Sequence, residues 1–237
     1  MSFNEKYFST NTYKNISFAR YSQYWWSNRF YAILVRRFGL RGTRLLEIGS
    51  GLGHLVGQLE GIFVTSAVDV NHWALVQSKP IAPRTSLQVA SAEDLPFPDG
   101  TFGVIIIKHV VEHLSHPEKA ISELGRVMVH GGVLILATPN LASLSRSWKG
   151  ENWIGYQDLT HISLKPPCEW LRMIKGAGFK VKRAVSDGFW DVPYIPLLPK
   201  MVQKFIFGSL GGLQAVSGVA FLPIRWGESI LVVASKQ

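Results

Sequence analysis

"RLLEIGSGLGHL", residues 44 to 55, sets an apolar run against three glycines at alternate positions, Gly49, Gly51 and Gly53, with Glu47 just ahead of them. A strand that ends in such a turn and then enters a helix can bring bare backbone close to a nucleotide-like ligand. The spacing narrows which ligand. A dinucleotide-binding turn asks for one more glycine at position 54, where this chain has His54. A pyrophosphate also wants a bare helix N-terminus offering N–H groups to an anion, whereas an acid such as Glu47 suits a ligand with a cationic end.

Outward from that stretch, apolar runs alternate with helical ones. Strands are expected at about 44–49, 63–70, 85–90, 103–109 and 132–138, with helices in between, the pattern of an α/β fold with a mostly parallel sheet. "HPEKAISELGRVMVHGG" reads as the clearest helix, with Ile121, Leu124, Val127 and Met128 on one face and the glycines closing its end. The long segment from Pro139 to Pro167 reads as irregular chain over the carboxyl edge of the sheet, where loops of that length carry function. "CEWLRMIKGAG" then reads as a short helix, "FKVKRAV" as a sixth strand and "ESILVVASK" as a seventh. No internal repeat or low-complexity tract is present.

Two further stretches bear on the ligand. "SAVDV" ends a strand with Asp69, twenty residues beyond Gly49, where an acid can accept hydrogen bonds from both hydroxyls of a ribose; its bland role would be to cap the next helix. "VASAEDLPFPDGTFGVIIIKHVVEHL" follows, and then "RVMVHGGVLILATPN".

Taken in order, E-x-G-x-G-x-G from Glu47 to Gly53, Asp69, the "SAEDLPFPDGTF" loop and the helix, Gly-Gly turn and fifth strand resemble the motifs of the class I S-adenosylmethionine-dependent methyltransferases. The resemblance implies a Rossmann-like sheet of seven strands in the order 3-2-1-4-5-7-6, the last antiparallel, with helices on both faces. It also implies S-adenosylmethionine as cofactor, held by Glu47, Gly49, Ser50, Gly51, Gly53, Asp69 and Val70, by Ser91, Ala92 and Glu93 at the adenine, and by Lys108 and His109 near the methionine part. Gly103, Val129 and His130 stand where the family often has Asp, Lys and Pro, at positions not expected to touch the cofactor.

"YQDLTHIS" resembles the Asp-x-Thr-His segment of the ubiquinone-type and glycan-type branches, which lies across the acceptor pocket. Methyl transfer is an in-line displacement that asks mainly for alignment, and a hydroxyl acceptor can use a histidine base. The candidates are His161, the favoured one, with Tyr156 and Asp158 as its neighbours, and His109 and His113 beside the expected methyl. The rivals are histidines that merely bond loop backbone, a non-catalytic S-adenosylmethionine-binding partner protein, and an NAD(P)-dependent oxidoreductase. "HVVEH" also spells H-x-x-E-H, a zinc pattern, but it follows a strand directly, so the two imidazoles need not share a face; no metal is expected.

At 237 residues the chain suits a single domain: an N-terminal helical lid over 1–42, a cofactor-binding core over 43–140 and an acceptor side over 141–237. The lone Cys168 and the absence of a signal-like start favour the cytoplasm. Of the net charge of +9, +6 lies in residues 1–42, where seven basic residues stand against Glu5 amid twelve aromatics. An amphipathic lid, an anionic substrate, a membrane surface and nucleic acid all fit that pattern, the last disfavoured for want of a base-pocket motif. Residues 188–226 form an apolar insertion, charge-free from Phe205 to Ile224. A single membrane crossing is rejected, since strands six and seven would share one sheet. The insertion is expected to be a cap on the domain or a homodimer partner, or a surface meeting a lipid-linked acceptor at the membrane periphery. The expected acceptor is a small molecule, a glycan or a lipid-linked compound.

Overall fold

All seven expected strands form in the computed structural model, which describes Tyr7 and residues 16–237; Glu5, Lys6 and Lys14 of the basic segment lie outside the described residues. Strands β1 (Arg44–Ile48), β2 (Val64–Asp69), β3 (Ser86–Val89), β4 (Phe102–Lys108), β5 (Met128–Pro139), β6 (Phe179–Ser186) and β7 (Ser229–Lys236) build one sheet in the order β3-β2-β1-β4-β5-β7-β6. The first five run parallel, and β7 lies antiparallel to both its neighbours. The expected topology is therefore the observed one.

Burial explains why these runs are strands. β4 is buried at six of its seven positions, as a central parallel strand covered on both faces must be. Its side chains alternate between two cores. Ile105 and Ile107 join Leu46, Ile48 and the helices α3 (Pro117–Val127) and α6 (Pro167–Gly176). Val104 and Ile106 join Leu45, Phe30, Tyr31 and Val35 on the opposite face, under α1 (Gln23–Phe38). Helix α2 (His72–Ser78) follows β2, the segment after β5 carries α4 (Leu144–Lys149) and α5 (Ile154–Gln157), and α7 (Lys200–Ser217) occupies the apolar insertion.

Two local expectations need correcting. The helix foreseen behind the glycine turn shrinks to one 3₁₀ turn, Val56–Gln58. Gly57 is pressed there against the 78–82 segment, where a Cβ would lie 2.8 Å from the Ile81 carbonyl oxygen, and Gly61 at φ 78° ends the turn. Helix α3 ends at Val127, four residues before the expected glycine stop, because Met128 already pairs with Phe102. Gly131 and Gly132 lie inside β5, at the irregularity where the pairing moves from Met128 to Val133.

One buried carboxylate just ahead of β7 ties the insertion to the segment after β5. Glu228 accepts hydrogen bonds from the Tyr194 hydroxyl, the Ser145 hydroxyl at 2.7 Å and the Trp153 indole N–H at 2.9 Å. Burial raises its pKa, and those three donors offset part of the rise. Among the described residues no helix is long and apolar enough to cross a membrane.

Candidate functional site

Strands β1, β2 and β4 present their carboxyl ends side by side, the place where open α/β sheets bind ligands. At the tip of β1 the chain turns through Gly49, Gly51 and Gly53 with φ of 69°, 49° and 76°, conformations that favour glycine. Two of the three are demanded by the protein's own packing. A Cβ on Gly49 would stand 2.2 Å from a Val110 methyl, and one on Gly53 2.7 Å from the Ser78 Cβ. The backbone N–H of Gly51 is held by Asp69 Oδ2 at 2.8 Å.

Asp69 also accepts the Asn71 N–H at 2.8 Å, and Asn71 itself caps α2, so the bland capping role foreseen for Asp69 falls to Asn71. Asp69 thus holds the backbone N–H groups of Gly51, Val70 and Asn71, and its two oxygens keep capacity for a further donor. Burial raises its pKa against those N–H bonds. Val70 beside it is exposed.

Glu47 points inward and accepts the Val56 N–H at 2.8 Å, tying the two sides of the turn. Burial pushes its carboxyl up to about 8, against the pull of Lys108, which burial brings down to about 8. Lys108 is held by α1: its ammonium donates to Asn28 Oδ1 at 3.0 Å and Ser27 Oγ at 3.2 Å and lies 4.8 Å from the centre of the Tyr31 ring. Around this pair, Ser50 Oγ, Asn28 Nδ2, Asn71 Nδ2 and the Tyr31 hydroxyl are buried without a hydrogen-bond partner among the described residues. Burial also raises the Tyr31 pKa.

After β3, Ser91 accepts the Glu93 N–H at 3.1 Å, Ala92 is buried, and Glu93 accepts the His116 N–H at 2.8 Å, so the loop is stitched to the start of α3. Arg126 fixes the loop's far half, donating to the Leu95 and Phe97 carbonyls at 2.9 and 2.7 Å while pairing with Glu123 and Asp99. Gly103, a departure from the family pattern, leaves room for Thr43, whose Oγ1 a Cβ would meet at 2.7 Å.

The candidate histidines divide into two groups. His109, at the tip of β4 with φ 53°, donates through Nδ1 to the buried Glu112 carboxylate at 3.2 Å, and its Nε2 lies 3.4 Å from Ser229 Oγ. Glu112 also accepts the Thr138 hydroxyl at 3.0 Å. Burial alone would raise its pKa, but the hydrogen bond and charge of His109 bring it below the usual carboxylate value. His113 and His161 stack 4.7 Å apart. His161 Nδ1 donates to the Gly155 carbonyl at 2.7 Å, and His113 Nδ1 is 2.8 Å from the Thr160 hydroxyl, which donates in turn to Asp158 at 2.5 Å. Burial lowers the His113 pKa. Both rings therefore hold a proton on Nδ1, and His161 Nε2 lies 4.0 Å from Asp158 Oδ2. Tyr156 lies on the rim, 3.3 Å from Arg146, and the Tyr7 hydroxyl reaches Asp158 at 3.4 Å.

Ligand-type atoms of Glu112, His113 and His161 come within 4.8 Å of one another. Both Glu112 oxygens already hold protein donors, and His109 and His113 face different partners, so the H-x-x-E-H spelling does not become a shared face. Asn28, Tyr31, Thr138, Asp187 and Ser229 escaped the sequence reading. Only Asn28 gave a signal, as a polar residue on the apolar face of α1.

The family described as a methyltransferase domain matches residues 20–184, most of the chain and every site residue named above except Tyr7, Asp187 and Ser229. The chain belongs to that family. This methyltransferase is 30% identical over 179 residues to an uncharacterized protein of Methanocaldococcus jannaschii, an alignment covering 73% of this chain and 80% of that one. It is 31% identical over 138 residues to the malonyl-[acyl-carrier protein] O-methyltransferase of Methylococcus capsulatus, covering 54% of this chain and 48% of that protein. The chain thus spans only about half the length of that second relative. In fold it is similar to the YcgJ protein of Bacillus subtilis, with a TM-score of 0.61 at 18% identity, over 89% of this chain and 99% of the other.

The cofactor of this methyltransferase is S-adenosylmethionine, and the residues present fit it. A buried acid and a buried amine, which burial shifts toward one another, suit the ammonium and carboxylate of its amino-acid end. Asp69 suits the ribose, and the partnerless Ser50 and Asn28 groups sit beside them. The nicotinamide reading, already short of a glycine at 54, falls with this assignment.

Proposed function

We propose that this methyltransferase modifies an oxygen of a small-molecule, glycan or lipid-linked acceptor, with His109 as the base. The bound cofactor supplies an electrophilic methyl group on sulfur, so the protein's task is to align the acceptor and remove its proton. The observation that carries the reading is the buried Glu112 behind His109. It accepts a hydrogen bond from Nδ1–H, sets the tautomer, and leaves Nε2 of the partly exposed ring, beside Ser229 Oγ, as proton acceptor at the strand tip. Glu112 would also stabilise the imidazolium formed. His161 and His113, fixed by Gly155 and by the Thr160–Asp158 relay, line the acceptor side, His161 being the second candidate base.

We assign Glu47 and Lys108 to the amino-acid end of the cofactor, Gly49, Ser50, Gly51 and Gly53 to its close backbone approach, Asp69 and Val70 to the ribose side, and Ser91, Ala92 and Glu93 to the adenine. The segment before residue 43 is proposed as a lid, 43–140 as the cofactor core and 141–237 as the acceptor side. The cytoplasm is the proposed compartment, with contact at a membrane surface.

A screen of hydroxyl, phenol and amine acceptors with methyl-labelled cofactor tests the chemistry. Label on oxygen supports it. Label confined to amines, or cofactor binding without turnover of any acceptor, contradicts it.

Two predictions concern the cofactor. Asp69→Ala is expected to weaken its binding by about 1.5–3 kcal/mol, the usual loss for hydrogen bonds to a charged group; unchanged affinity in calorimetry would remove Asp69 from the ribose. Affinity is also expected to peak near pH 8. Below that, Glu47 carries a proton that a cationic ammonium must displace; above it, Lys108 loses the charge that a carboxylate needs. Titrations in buffers from about pH 6.5 to 9.5 check this, and a flat profile would separate the pair from the cofactor.

A further inference from the structure

Helix α7 turns most of its large apolar side chains outward. Its inner face packs Gln203, Gly211, Gln214 and Ala215 into the protein, while Met201, Phe205, Leu213 and Val216 stand exposed on the outer one. A surface helix of this kind calls for an explanation. Between it and α1 lies a cavity of about 340 Å³, walled by Trp26, Phe189 and Trp190. That volume and aromatic lining suit a small apolar ligand. The polar lining is spare: the Gln23 amide is spent on the Trp190 carbonyl at 3.0 Å, and Lys204 supplies the single charge among the described residues.

The glycines of α7 show which space the protein itself uses. A Cβ on Gly211 would meet the Trp190 ring at 2.7 Å, so packing explains that glycine. Gly208 and Gly212, one helical turn apart on the cavity wall, would meet nothing within 4 Å. Alanine would make a better helix at both positions. Among the described residues nothing asks for glycine there, and the room they leave widens the cavity.

The cavity lies near the site through two short stretches of chain: Trp26 on its wall directly precedes Ser27 and Asn28, which hold Lys108. Asp187, two residues before Phe189, accepts the Ser229 N–H at 2.9 Å, and Ser229 Oγ lies 3.4 Å from His109 Nε2. Phe189 is held rigidly among Trp148, Tyr194 and Phe207, with ring centres 5.6 to 6.0 Å away.

We propose that this groove receives the single hydrocarbon chain of a lipid-type acceptor, with Lys204 facing an anionic group on it. The inference rests on the methyltransferase reading of the neighbouring site and names its substrate class. A second copy of the chain fits the groove less well, because a protein of charge +9 would bring Lys200 and Lys204 of both copies toward one another.

Dodecanoate, titrated calorimetrically into the full chain, is the probe, with S-adenosylmethionine titrated in parallel. The expected result is one saturable dodecanoate site, weakened at least tenfold by Gly208→Leu and by Gly212→Leu. Gly176→Leu, at a helical glycine outside the groove that also meets nothing within 4 Å, should leave it unchanged. Lys204→Gln should weaken dodecanoate several-fold and leave dodecan-1-ol unaffected. Unsaturable binding, or binding that both plugging variants retain, overturns the groove; equal effects of Lys204→Gln on the two probes overturn the anionic partner. Retained cofactor binding in the leucine variants shows that they fold. Saturable dodecanoate binding in a chain that binds no S-adenosylmethionine would sink the reading of the site and not that of the groove.

Discussion

Gly49→Ala is expected to destabilise the protein by about 2–5 kcal/mol and to abolish measurable cofactor binding. The estimate joins two costs. An alanine held at φ 69° loses roughly 1–2 kcal/mol in the left-handed region, and its Cβ, 2.2 Å from a Val110 methyl, forces overpacking worth about 1–3 kcal/mol. The two can be separated. Gly100→Ala meets the same backbone penalty at φ 60° with nothing within 4 Å, so it should lose only the smaller share. Combining Gly49→Ala with Val110→Ala should recover part of the steric cost and none of the backbone cost, a non-additivity expected of residues in contact. Urea unfolding of wild type, Gly49→Ala, Val110→Ala, the double variant and Gly100→Ala measures this. Equal stability of Gly49→Ala and wild type would show that the turn does not need its glycine. Cofactor binding is lost in the same variant because Gly49 and Ser50 hang from the Val68 carbonyl beside Asp69, and moving Val110 or the turn shifts that cradle.

His109→Asn should lower turnover roughly 10²- to 10⁴-fold, the range of a lost general base, with cofactor affinity kept. Asparagine is the informative choice, since it tolerates φ 53° better than most residues and leaves the strand tip in place. What it cannot do is accept the proton. Glu112→Gln should follow with a partial loss, because the amide still fills the space between His109 and Thr138 but no longer stabilises an imidazolium. His161→Ala tests the other candidate and is expected to cost less turnover than His109→Asn. Full activity in the asparagine variant would hand the role to His161 or show that the acceptor arrives deprotonated.

The reading of His109 shows how far local sequence reaches. H-x-x-E-H could be read as a metal motif, a base with its orienter, or loop histidines, and the five letters are the same in each case. Tertiary contacts choose among them. Thr138 from β5 occupies one Glu112 oxygen, Thr160 from the segment after α5 captures His113, and Ser229 from β7 meets His109. Those partners lie 26 to 120 positions away in the chain, beyond any spacing rule. The glycine turn is the opposite case. Its positive φ values belong to Gly49, Gly51 and Gly53 themselves, and Asp69 reaches it because adjacent parallel strands bring their ends together.

The sequence by itself determined the sheet, its strand order through the family motifs, and the cradle of Glu47, the three glycines and Asp69, because alternating burial and turn glycine are local properties of the chain. Only the tertiary structure decided that α1 supplies Asn28 and Tyr31 around Lys108, that a single 3₁₀ turn replaces the helix after the glycines, and that α7 walls a groove with Trp26, Phe189 and Trp190. Each of these depends on what a residue meets across the fold, and desolvation, steric fit and hydrogen-bond pairing have no value until the distant partner is in place.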